Sequence, residues 1–126
     1  MSSLRLVVVS ALLMLTFACG GYSSSPSAPS PAPTAGGPSS PVTIPRGAES
    51  LANRAYSPDD VNIAIGESVT WTNTDSVAHT STSDGGAWNS GTVNPGGRFS
   101  FTFQSAGTFS YHCTIHPGMV GTVVVR

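Results

Sequence analysis

The chain has 126 residues, which allows one ordinary domain and leaves no room for a barrel or doubly wound enzyme fold. Five Arg, six acids and no Lys give a net charge of −1, and without a basic cluster the chain has no surface for phosphate or nucleic acid. Fourteen Gly and ten Pro argue against a helical bundle, and the absence of any charged side chain from residue 6 to residue 45 divides the sequence before any element is read.

Residues 1–19 have the pattern of a bacterial export signal. Arg5 supplies a short basic start, and Leu6–Ala18 is apolar apart from Ser10 and Thr16. That run is shorter than the roughly 20 apolar residues a membrane span needs, and small residues follow it, as at a signal cleavage site. Ala18-Cys19-Gly20-Gly21 resembles a lipoprotein signal, in which the cysteine is acylated and becomes the mature N-terminus. Thr16 and Phe17 depart from that pattern, while Leu15 stands one step further back. Lipid attachment at Cys19 is the expectation, with the chain exported to a periplasmic or extracellular face and held at the membrane. Ordinary signal cleavage, a buried N-terminal helix and pairing of Cys19 with Cys113 are the competing readings. Residues 20–45 hold seven of the ten prolines among Ser, Ala and Gly, and read as a disordered linker.

Residues 46–126 then form the whole folded domain, and its pattern is β throughout. Arg46–Pro58 is ambiguous between an edge strand and a loop. Val61, Ile63 and Ile65 alternate with Asn62 and Ala64, as in a half-buried strand. Gly66-Glu67 turns the chain into a second alternating run through Val69 and Trp71. Asp84-Gly85-Gly86 and Asn94-Pro95-Gly96-Gly97 are turns. Phe99, Phe101 and Phe103 share one face of a strand, and Phe109, Tyr111 and Cys113 share one face of the next. Met119–Val125 makes a final Val-rich strand. Short strands at this spacing predict an all-β, two-sheet Greek-key β-sandwich. A domain this small is commonly stapled, and with one cysteine inside it a metal is the expected staple.

Cys113-Thr114-Ile115-His116-Pro117-Gly118-Met119 carries the chemistry. Thiolate, imidazole and thioether recur at three-residue intervals, a donor order that suits copper. A trigonal site needs a second imidazole, and His79 can supply it from the loop after the Trp71 strand. His112 adjoins Cys113 and so points to the opposite strand face; it reads as a surface or structural residue. Trp71, Trp88 and Tyr111 read as core.

Three stretches carry a family resemblance: Val69–Asn73 leading to His79-Thr80, Pro95–Phe103, and Gly107–Met119. Together they are similar to a cupredoxin, a type 1 blue-copper domain of the plastocyanin and amicyanin kind. The two residues between His116 and Met119 match the short amicyanin loop. The resemblance implies His79, Cys113 and His116 as equatorial ligands of one copper ion and Met119 as the axial ligand. Thr80 stands where the family commonly has Asn, which ties the two ligand loops together.

A site that suits both Cu(I) and Cu(II) implies a one-electron carrier. No open coordination position for a substrate is evident, and three histidines are too few for a multicopper enzyme. A copper carrier or scavenger without redox duty is the alternative; the single Met and Cys in the domain count against it. The resemblance implies redox protein partners docking at His116 within an apolar patch to which Pro117, Gly118 and Met119 contribute. Four Arg and six acids, spread over the domain, predict weak electrostatic steering of those partners. The domain is expected to act as a monomer.

Overall fold

The computed structural model describes residues 37–126; Cys19 and the expected export signal lie outside them. Strands β1 (Ser39–Ile44), β2 (Asp60–Ile63), β3 (Ser68–Asn73), β4 (Thr82–Ser83), β5 (Arg98–Thr102), β6 (Gly107–His112) and β7 (Val120–Val125) form two sheets. One sheet has the order β1-β3-β5 and the other β2-β7-β6-β4. β1 runs parallel to β3 and β2 parallel to β7, and the remaining pairs are antiparallel. This is the all-β two-sheet sandwich that the alternation of apolar side chains predicts.

The inner faces meet in one core. Val42, Ile44, Val69 and Trp71 come from one sheet, and Val61, Ile63, Tyr111, Val123 and Val125 from the other. Aromatic rings fill the centre: Trp71 stacks on Trp88 at 5.4 Å and meets the edge of Tyr111 at 5.4 Å. Such pairs add about 0.5–1.5 kcal/mol beyond the apolar area they bury. Gly121 of β7 lies opposite Tyr111 of β6, and a Cβ there would come within 2.5 Å of the tyrosine ring and hydroxyl. The glycine therefore makes room for the largest ring of its sheet.

Two boundaries differ from the sequence reading, and one ambiguous stretch is resolved. The stretch expected to be linker ends earlier, because β1 occupies Ser39–Ile44. Its prolines mask the alternation of Ser40, Val42 and Ile44, yet Val42 and Ile44 are both fully buried. Pro41 is tolerated because β1 lies at a sheet edge, where one row of N–H groups needs no partner. Arg46–Pro58 is not a strand but two 3₁₀ turns, Ala48–Ser50 and Ala52–Arg54, with an isolated bridge between Thr43 and Ser57. Ile65 does not extend β2. The Ala64 N–H donates to the Glu67 carboxylate at 2.7 Å and the Glu67 N–H returns to the Ala64 carbonyl, so the turn starts early and Ile65 is half exposed at its corner.

Candidate metal centre

Two loops at one end of the sandwich build the site. The first follows β3. Asn73, fully buried, donates through Nδ2 to the carbonyls of Val77 and Val93, and its Oδ1 accepts the N–H of Asp75. One side chain thus folds Thr74–Ala78 into a fixed bulge. His79 then exchanges backbone hydrogen bonds with Val93, which fixes its direction. The second loop follows β6. It is closed by the N–H of Met119 donating to the His116 carbonyl at 2.9 Å and that of Cys113 donating to the Met119 carbonyl at 3.1 Å.

These loops bring His79, Cys113 and His116 together. Cys113 Sγ lies 3.9 Å from His79 Nδ1 and 3.8 Å from His116 Nδ1, and the two Nδ1 atoms are 3.2 Å apart. A first-row ion held in one plane by two nitrogens and a sulfur at about 2.0–2.3 Å separates those donors by roughly 3.5–3.7 Å. The observed triangle is close to that size, so the residues fit a metal. Two imidazoles with a thiolate are the equatorial set of a type 1 copper site. Cys113 and His79 are fully buried, and His116 is partly exposed. Met119 is fully buried in the same loop.

The residue pattern also left Thr80 in question, and the structure answers it. The Thr80 hydroxyl accepts the Thr114 N–H at 2.9 Å and lies 3.3 Å from the Thr114 hydroxyl. It therefore links the two ligand loops. The Thr80 N–H donates to Cys113 Sγ at 3.2 Å, which orients the sulfur and draws charge from it. Tyr56 supports the same loop, donating to the Thr80 carbonyl at 2.6 Å. Burial, and then the charge of Cys113, push the Tyr56 phenol up, so it stays a donor.

Asp75 was not singled out from sequence. It is buried, and its Oδ2 lies 2.9 Å from Nε2 of His79. The signal was present only as an acid four residues before a histidine, in a loop where that spacing has no fixed geometry. Burial alone would raise its carboxyl, but hydrogen bonds from His79 and from the backbone of Ser76, Gly47 and Ala48 outweigh this and hold it well below the usual carboxylate range.

His112 sits on the other strand face, as its position predicts, with Nδ1 bonded to the Asp84 carboxylate. One correction concerns the surface around His116. Met119 is buried and contributes nothing to it, whereas Ile115, 47 % exposed, and Pro117 are outward.

Residues 43–126 match the family described as copper binding proteins, plastocyanin/azurin family. The chain belongs to that family. It is 33 % identical to amicyanin of Paracoccus denitrificans over 81 residues, 60 % of this chain and 62 % of amicyanin. It is 36 % identical to plastocyanin of Scenedesmus fuscus over 98 residues, 68 % of this chain and 99 % of that protein. Among solved structures, a purple cupredoxin from Nitrosopumilus maritimus superposes with a TM-score of 0.64 at 37 % identity, covering 69 % of this chain and 99 % of that one. The cofactor of this cupredoxin domain is copper, and His79, Cys113 and His116 form a group that can hold it.

Proposed function

We propose that this cupredoxin is a one-electron carrier, with Met119 as a fourth, axial donor to the copper. Bound copper supplies the Cu(I)/Cu(II) couple. The protein's part is to hold the donors still. The observation that carries the reading is the triangle of two Nδ1 atoms and one Sγ, at 3.2–3.9 Å, braced from three directions. Thr80 fixes the sulfur, Asp75 lies behind His79, and the Met119 and Cys113 amides close the second loop. Donors locked this way change little between oxidation states, so the reorganisation that slows electron transfer is small.

Of the three donors only His116 reaches the surface. Its ring edge is the natural route for charge into and out of the protein. Ile115 and Val77, 47 % and 41 % exposed, stand in the two ligand loops and give the surrounding rim an apolar character. A redox partner would dock there by desolvating that rim rather than by charge. Export, with attachment to a membrane through Cys19, would place the carrier on the periplasmic or extracellular side.

A redox titration of the copper-loaded protein tests this reading. A reversible one-electron transition with copper retained in both states is expected. Release of the metal on reduction would instead favour a copper delivery role.

A further inference from the structure

The carboxylate of Asp75 has no part in the donor triangle, yet it is among the most constrained groups in the domain. It lies at the remote nitrogen of a ligand histidine, 2.9 Å from His79 Nε2, and both side chains are buried. The Ser76 N–H donates to Oδ1 at 2.6 Å and the Ala48 N–H to Oδ2 at 3.2 Å. Ala48 opens the 3₁₀ turn just after β1, and Gly47 before it takes a left-handed φ of 71°, a conformation that glycine adopts without strain. The segment that follows β1 therefore wraps over the back of the metal centre and delivers an amide to Asp75.

An ionised carboxylate only accepts hydrogen bonds. Its contact with Nε2 therefore requires a proton on Nε2, and in the neutral ring this leaves the Nδ1 lone pair directed at Cys113 and His116. The same carboxylate is a negative charge in a buried setting, where it acts over several ångströms with little screening. Negative charge near a redox metal favours its higher oxidation state.

We propose that Asp75, clamped by the segment after β1, is a positioning residue for the copper site: it selects the His79 tautomer that can bind metal and lowers the reduction potential. The proposal rests on the copper-carrier reading for its second part only. Glu49 is an internal control, because its exposed carboxylate also comes within 4.8 Å of the Asp75 and His79 ligand atoms but makes no hydrogen bond to the ring.

The test has two arms, both on the full chain. The first uses metal-free protein and reads the His79 ring nitrogens by long-range proton–nitrogen NMR. In the wild type Nε2 should carry the proton; a proton on Nδ1, or a mixture of tautomers, would overturn the proposal. The second arm loads Cu(II) into wild type, Asp75→Asn and Glu49→Gln and titrates each with reductant. Asparagine can keep the acceptor while losing the charge. Asp75→Asn should retain the thiolate-to-copper band and lose about tenfold in preference for Cu(II), equal to a rise of about 59 mV, with Glu49→Gln moving much less. An unchanged potential in Asp75→Asn, or an equal shift in Glu49→Gln, would overturn it. If Asp75→Asn does not fold, the wild-type tautomer decides. If the wild type shows no band at all, the copper reading fails by itself and the first arm still decides the role of Asp75.

Discussion

Thr80 shows how much one hydroxyl can hold. Its Oγ1 takes the Thr114 N–H, and its own N–H goes to Cys113 Sγ. Thr80→Val removes the first bond and keeps the second. The Thr114 N–H, on an exposed residue, then turns to water, at a cost of about 0.5–1.5 kcal/mol. Urea unfolding should show that loss, while the thiolate-to-copper band persists because the sulfur keeps its donor. Met119 makes the complementary case. As the proposed axial thioether it would tune the couple without generating the colour, so Met119→Leu should keep the visible band and move the reduction potential. His112, tied to Asp84 on the other face, should tolerate Ala with the band unchanged; loss of colour there would mean the donor set is wrong. At this scale the sequence was a good guide where chemistry depends on spacing: Cys113 and His116 stand three apart on one loop, and the structure brings both to His79. Asp75 was not legible. Its role comes from a bulge set by Asn73, and nothing in the order of residues announces where Asn73 sends its amide.

The strands read well wherever both neighbours of an alternating pair are polar and flexible. β3, β5 and β6 have that pattern and form where the alternation puts them, while β7 is read from its Val-rich run. β1 was concealed because Pro38, Pro41 and Pro45 resemble linker, and at an edge proline costs a strand little. Two buried side chains betray it. Ile44→Ala, at a fully buried position, should destabilise the domain by about 2–5 kcal/mol, read from the shift in the unfolding midpoint. A chain starting at Arg46 would lack β1 altogether. It would remove Val42 and Ile44 from the core and unpair one side of β3. Such a truncation is expected to melt well below the full chain. Gly121→Ala probes the opposite fault, too much volume. Its new Cβ would collide with the Tyr111 ring, and overpacking of this kind costs about 1–3 kcal/mol.

The whole domain divides its labour between a packed aromatic core and two loops at one end. The core explains why a metal is not the only staple: Trp71, Trp88, Phe103 and Tyr111 pack within 6 Å of one another in successive pairs. The loops can then serve the metal, with their polar groups turned inward on each other. Charge is sparse over residues 46–126, four Arg against six acids, and Asp75 among those acids is buried in the site. A partner docking at His116, as proposed, would meet an apolar rim and a weak field. Electron-transfer rates should therefore vary little with ionic strength; a steep fall with added salt would point to charge-guided docking instead.

His79, Cys113 and His116 should close around one copper ion with the cysteine as thiolate. Adding Cu(II) to the metal-free full chain and recording the visible spectrum tests it most directly. An intense thiolate-to-copper band should grow to a single equivalent and be absent from Cys113→Ser. A wild-type spectrum with only the weak bands of copper held by nitrogen and oxygen, or a band that survives in Cys113→Ser, would contradict it.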